Sequence, residues 1–168
     1  YMEQLDPELL AAAENIKRLL KERGLEGKVS VSTRERGVVI GLMNTVLFEP
    51  GSADIREEGK DTLIEIGLIA GVTDNYIRVE GHADDIPINT PRFPSNWELS
   101  IIRATEVVKL LISESGVSPE TISAVGYGEY RPSVPNTSAE NRAFNRRVDI
   151  VLLNSSYDKS EAALSTEK

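Results

Sequence analysis

The sequence predicts an α/β sandwich, a mixed β-sheet with helices packed on one face, preceded by an N-terminal amphipathic helix. β-rich runs alternate with helical patterns in the order hairpin, helix, strand, helix, strand, strand. No repeat or low-complexity segment interrupts that order. At 168 residues, 40% hydrophobic and 27% charged, the chain has the size and balance for one soluble domain with a core.

The first helix is expected over residues 7–23. Asp6 suits the N-cap, Pro7 the first helical position, and Leu5 can staple onto Leu10. Leu9, Ala12, Ala13, Ile16, Leu19 and Leu20 form one apolar stripe, and Gly24 suits a left-handed cap. The stripe has two possible covers, its own domain or a second copy of itself. A hairpin follows, with strands near 29–32 and 38–42 and a loop ending in Gly37. Residues 48–52 read as a turn, and a helix is expected over 57–70 with Leu63, Ile66 and Ile69 or Ala70 inward. A strand at 76–81 leads into a loop stiffened by Pro87, Pro91 and Pro94. A long helix at 95–115 is closed by Gly116, strands are expected at 123–127 and 147–153, and a loop at 131–137 with a helical turn separates those two strands. The organisation is therefore a linker helix at 1–27, a domain at 28–154 and a polar tail at 155–168 expected to be disordered.

Composition excludes several functions. The net charge of −8 opposes nucleic-acid binding and adhesion to anionic lipid. The absence of cysteine removes disulfide scaffolds and cysteine-based metal sites. His82, the single histidine, has no obvious metal partners in the sequence and reads as a packing residue, and no cofactor is implied. No run approaches a membrane span. Opening at Tyr1 without a methionine, the chain reads as part of a longer protein.

The informative segment runs from Gly81 to Ala104. Ser95 and Glu98 form a capping box that starts the long helix. At 100° per residue, Trp97, Ile101, Ala104, Val108, Leu111 and Ile112 fall on one side and are expected in the core. Glu98, Thr105, Glu106, Lys109 and Ser113 fall opposite. Asn96, Ser100 and Arg103 occupy a third sector about 60° wide beside the core, continued further along by Val107 and Leu110. A polar patch there, next to the acidic loop at Asp84 and Asp85, suits a pocket for a charged ligand. The alternative is a structural role, with Arg103 paired to Asp84, Asp85 or Glu49 and Asp84 a turn carboxylate. Asp84 and Asp85 do not make a persuasive acid/base pair, because adjacent residues on an extended segment point opposite ways.

A resemblance adds to this. Gly81-His82-Ala83-Asp84 followed by Asn96-Trp97-Glu98-Leu99-Ser100-Ile101-Ile102-Arg103-Ala104 resembles the signature of OmpA-like peptidoglycan-binding domains. Phe48 with Gly51-Ser52-Ala53, Gly126-Tyr127-Gly128 with Pro132, and Asn145-Arg146-Arg147-Val148-Asp149-Ile150 resemble that family's other segments, in the same order. The loop at 85–88, the stretch at 93–100 and the additional first helix look like flagellar stator B subunits. The resemblance implies a non-enzymatic domain outside the cytoplasmic membrane that binds the peptide stem of peptidoglycan, probed through its diaminopimelate, and so anchors a motor stator to the wall. Asp84 and Arg103 carry over as ligand-binding residues, with Asn96, Leu99 and, more remotely, Glu49 lining the pocket. The partners implied are peptidoglycan, a stator A subunit met through a membrane segment outside this chain, and a second copy in a homodimer. The same resemblance leaves open a lipoprotein or outer-membrane anchor and, less favourably, a peptidoglycan hydrolase. The family's Thr before the aspartate is Ala83 here, so one hydroxyl is missing from the site.

Overall fold

The computed structural model describes residues 4–157. Its elements are α1 (Pro7–Glu22), β1 (Val29–Arg34), β2 (Gly37–Met43), α2 (Asn44–Leu47), α3 (Glu57–Gly71), β3 (Ile77–His82), α4 (Asn96–Ser115), β4 (Ile122–Gly126), α5 (Ala139–Asn145) and β5 (Arg147–Leu153), with a 3₁₀ turn at Pro119–Thr121. The strands form one mixed sheet in the order β1-β2-β5-β3-β4. Only β3 and β4 run parallel, joined by the long crossover through α4; the other neighbours are antiparallel.

The alternation of each strand decides which face is dry. Val38, Ile40 and Leu42 of β2, Ile77 and Val79 of β3, and Val148, Ile150 and Leu152 of β5 point to one side. There they meet Leu63 and Ile66 of α3 and Val107 and Leu111 of α4 in one apolar cluster. The helical layer thus lies on one face of the sheet.

The first helix belongs to this layer. Leu9, Ala12, Ala13, Ile16 and Leu20 are buried in the same cluster, so the stripe is covered by its own domain. Burial of a stripe that size against the sheet removes the driving force for this helix to seek a second copy. Asp6 does not cap the helix with its side chain as expected. Its carboxylate instead accepts from Asn75 Nδ2, Ser155 N and Ser155 Oγ, each at 2.8 Å, while its carbonyl accepts from Leu9 N and Leu10 N. One carboxylate therefore ties the start of the helix to the end of β5. Of the tail expected to be disordered, residues 155–157 form a helical turn, and the remainder, 158–168, lies outside the described residues.

One short element escaped the periodicity argument. α2, with four residues, has too few turns to show a pattern, whereas the helical turn expected before the last strand is α5. Both end strands begin close to where expected, and Gly37 (φ +143°) closes the hairpin at a point where a Cβ would lie 1.9 Å from the Leu152 carbonyl oxygen.

Candidate functional site

The site is built where the end of β3 and the start of β5 meet the first turns of α4. Ser95 Oγ accepts from Trp97 N and donates to Glu98, the side-chain form of the expected capping box. The helix then lies unusually close to the sheet. A Cβ at Gly81 would fall 1.9 Å from the Ser100 carbonyl oxygen, and one at Gly126 would fall 2.7 Å from Ile101 N. Ser100 is buried, donating to the Trp97 carbonyl and accepting from Gly128 N at 3.0 Å.

This close approach corrects the helical wheel. Trp97 is 50% exposed, not core; it stacks on Tyr130 with ring centroids 5.1 Å apart. The helix meets two strand positions without side chains, and an indole does not fit between backbones that near. The direction of burial runs instead through Asn96, Leu99, Ser100, Arg103, Ala104, Val107 and Leu111. The polar sector expected beside the core is thus part of the buried face itself.

Arg103 is 6% exposed. Its Nε donates to the Ser52 carbonyl at 2.8 Å, Nη2 lies 3.4 Å from the Glu49 carbonyl, and the guanidinium sits over the Phe48 ring at 5.0 Å. No carboxylate among the described residues pairs with it directly. Burial, reinforced by the nearby Arg146 charge and opposed by Asp84, pushes its pKa down to about 10, so it remains a cation at neutral pH.

Asp84 is equally buried and follows β3 by two residues. Its Oδ1 accepts from Ile86 N at 3.0 Å, which shapes the loop, and Oδ2 accepts from Arg146 Nη1 at 2.6 Å. Asn96 Nδ2 spans the Asp84 and Ile86 carbonyls at 3.3 and 3.1 Å. Leu99 joins Ala53 and Phe93 in a small second core under the loops. Four of the five expected residues therefore converge: Asp84 and Arg103 carry the charge, while Asn96 and Leu99 hold the loops around them. Glu49 meets Arg103 through its carbonyl only; its carboxylate is exposed and faces Arg56 at 3.5 Å. Ala83 contributes no hydroxyl, but its N–H donates to the Gly128 carbonyl at 2.8 Å and fixes the strand end.

Sequence reasoning left the arginines at 142, 146 and 147 unassigned. Arg146 is the ion-pair partner of Asp84, Arg142 that of Asp85, and Arg147 that of Asp149. Asn145, fully buried, accepts from Ser133 N and Val134 N and donates to the Val134 carbonyl. It pins the loop after β4 so that Arg146, next in the chain, projects toward Asp84. The run Asn145-Arg146-Arg147 was the signal available; its direction needed the strand register.

A second polar cluster lies on the sheet face away from the helices. Glu80, His82 and Asp149 bring ligand atoms within 4.8 Å of one another. Glu80 is held by Arg36 through two bonds of 2.9 Å, and Asp149 by Arg147 at 3.2 Å. The two guanidiniums already neutralise both carboxylates, so a divalent cation there would add uncompensated buried charge. Among the described residues neither nitrogen of His82 makes a hydrogen bond, although Nε2 lies 3.4 Å from Asp149 Oδ2, and its ring stacks on Tyr127. Burial, followed by the charge of Arg147, lowers its pKa to about 3. A cavity of about 960 Å³ also opens on this face, lined in part by Arg36, Gly41 and Asp149 rather than by Asp84 or Arg103.

Residues 47–146 match the OmpA family. The chain belongs to the OmpA family. It is 34% identical over 148 residues to motility protein B of Bacillus subtilis, covering 87% of this chain and 56% of that protein. Among solved structures, the cell wall anchor of the T6SS from Pseudomonas aeruginosa aligns with a TM-score of 0.76 at 34% identity, covering 83% of this chain and 96% of that one. A periplasmic domain of Helicobacter pylori MotB aligns with a TM-score of 0.69 at 31% identity, covering 83% and 93%. This OmpA-family chain thus spans little more than half the length of the motility protein it resembles. Among its described residues, no helix is long and apolar enough to cross a membrane.

Proposed function

We propose that this domain binds the peptide stem of peptidoglycan without covalent chemistry and anchors a flagellar motor stator to the cell wall. The observation that carries the reading is Arg103, a buried guanidinium whose direct partners are backbone carbonyls rather than a carboxylate. Such a cation is costly unless an anion completes it. The side-chain end of diaminopimelate carries a carboxylate and an ammonium. Arg103 takes the carboxylate with its planar fork, and Asp84 accepts from the ammonium. Opposed partners leave neither ligand charge unpaired.

Hydrolysis is not part of this reading. Asp84 and Asp85 engage different arginines, so they are not set as a carboxylate pair across a substrate bond. Likeness to motility protein B supports the motor setting. In that setting the domain lies outside the cytoplasmic membrane, works as a homodimer, and meets a stator A subunit through a membrane segment elsewhere in the protein. The dimer would use a surface other than the stripe of α1, which is buried. Likeness to the T6SS wall anchor favours a second reading, in which the same pocket serves a wall anchor of another assembly, of lipoprotein or outer-membrane type.

Co-sedimentation with purified peptidoglycan sacculi tests the reading. The wild type pellets with the sacculi and releases no soluble fragments. Asp84→Ala and Arg103→Ala stay in the supernatant, with Arg103→Lys as a milder variant that keeps the buried charge. Pelleting of all variants like the wild type would overturn the site.

A further inference from the structure

A stacked aromatic pair stands outside the pocket and beside it. Trp97 is half exposed and stacks on Tyr130, itself 64% exposed, with ring centroids 5.1 Å apart. Single exposed apolar side chains are common on protein surfaces, but these two large rings are held together by specific bonds. The Trp97 N–H donates to Ser95 Oγ at 3.2 Å, and the Trp97 carbonyl accepts from Ser100 Oγ at 3.0 Å. Ser100 Oγ in turn accepts from Gly128 N at 3.0 Å, and Tyr130 N donates to the Tyr127 carbonyl at 3.3 Å, closing the turn that carries the second ring. Gly128 lies against both rings: a Cβ there would come within 3.4 Å of the indole and 3.6 Å of the phenol ring. The pair is thus preorganised and would lose little freedom on meeting a ligand. The sheet order places it next to the pocket. β3 and β4 are parallel neighbours, and beyond their ends Ala83 N still donates to the Gly128 carbonyl at 2.8 Å. The turn bearing Tyr130 therefore runs one strand spacing, about 5 Å, from the segment bearing Asp84. On the helix, Trp97 follows Asn96, whose amide spans the Asp84 and Ile86 carbonyls.

We propose that Trp97 and Tyr130 form a stacking platform for the sugar rings of the same peptidoglycan strand whose stem enters the Asp84–Arg103 pocket. This inference rests on the stem-binding reading above. The stem is joined covalently to a β-1,4-linked glycan. A stem held by its third residue brings the nearest sugar within roughly 10 Å of the pocket, the extended length of three residues. The aromatic pair lies within that reach. The C–H-rich face of a pyranose ring is apolar and slightly positive, which suits the negative face of an aromatic ring. The platform thus reads the glycan, the pocket reads the peptide, and the covalent link between the two parts of the ligand makes their contacts reinforce each other.

Isothermal titration of the full chain with two ligands tests it. One is the tripeptide L-Ala-γ-D-Glu-meso-diaminopimelate; the other is the muropeptide with the same tripeptide on the disaccharide of N-acetylglucosamine and N-acetylmuramic acid. The wild type binds the muropeptide roughly fivefold more tightly than the free stem, the scale of one aromatic contact. Trp97→Ala and Tyr130→Ala lose that gain and keep the affinity for the free stem, which also shows that the fold is retained. Trp97→Phe keeps part of the gain. Trp97 is the single tryptophan of the chain, so its fluorescence shifts with the muropeptide and not with the free stem. Equal wild-type affinity for the two ligands, or a loss in Trp97→Ala that is the same for both, would overturn the platform while leaving the stem-binding reading intact. Failure of the wild type to bind either ligand would overturn that reading and the platform with it. A wild-type dimer that Trp97→Ala dissociates in sedimentation equilibrium, with muropeptide affinity unchanged, would assign the pair to a second copy and overturn the platform.

Discussion

Three side chains at the residue scale explain why the site has the form it does. Asp84 and Arg103 were legible in the sequence, because a polar patch on an apolar helix beside an acidic loop is unusual and matches a family pattern. Arg146 was not, since nothing in an Asn-Arg-Arg run says which guanidinium turns toward the loop; the antiparallel register of β3 with β5 places it. On the proposed binding mode, removal of either Arg103 or Asp84 takes one partner from a buried charge contact with the ligand, expected to cost roughly 2–5 kcal/mol of binding, one to three decades or more in affinity. Titration of purified stem peptide by calorimetry measures that loss. His82 makes a separate prediction about stability. Its folded pKa, about 3, lies below the ordinary 6.5, so the unfolded chain takes up a proton that the folded chain refuses between those values. Stability therefore falls as pH drops through that window, by up to about 1.4 kcal/mol per pH unit from this group. Glu80, lowered chiefly by its bonds to Arg36 against the opposing effect of burial, adds to the acid loss as pH falls through its folded pKa. Asp149, raised by burial, works the other way. Denaturant unfolding from pH 7 to pH 4 should show a steeper decline in the wild type than in His82→Gln, and parallel curves would contradict this account of His82.

Packing of α4 on β3 and β4 is the decisive contact at the scale of elements. The sequence made the helix, its capping box and its Gly116 terminator plain. It misplaced the inward direction, because a helical wheel assumes that the largest apolar residues face the core. Gly81 and Gly126 reverse that assumption here. They let the backbone of α4 come so close that small Ser100 fits and Trp97 does not. Gly81→Ala is expected to push the helix outward, costing about 2–4 kcal/mol by overpacking and weakening ligand binding through the displaced Asn96 and Arg103. Trp97→Ala removes a half-exposed ring and should cost less stability than that, about 1 kcal/mol or less. Paired thermal melts of the two variants decide the point; a larger loss for Trp97→Ala would return the indole to the core. The hairpin, α3 and the final strand were read nearly in place. α2 was too short for a period to register, while α5, expected as a helical turn before the last strand, is the element that leads into Arg146.

The first helix completes the helical layer of the whole molecule. Its stripe was visible, but a sequence cannot say whether such a stripe is covered by its own domain or by a copy. Burial of Leu9 and Ile16 against the common core gives the answer for this helix. Ile16→Ala should destabilise the domain by about 2–5 kcal/mol, the range for large-to-small core substitutions. Deletion of residues 1–24 should lower the melting temperature and leave the oligomeric state of the remaining domain unchanged in sedimentation equilibrium. A melting temperature unaffected by the deletion would show the helix to be an independent linker. The layered fold leaves the loops between α2 and α3, β3 and α4, and β4 and α5 gathered at one end of the sheet, where Arg103, Asp84 and Arg146 meet. The most direct test of that arrangement compares two stem tripeptides by calorimetry, one with meso-diaminopimelate and one with lysine, which keeps the ammonium but lacks the side-chain carboxylate. The diaminopimelate stem should bind at least roughly tenfold more tightly, the scale of a lost charge-assisted bond to Arg103. Equal affinity for the two stems, or no binding of either, would contradict the claim that Asp84 and Arg103 hold the zwitterionic end of the wall peptide.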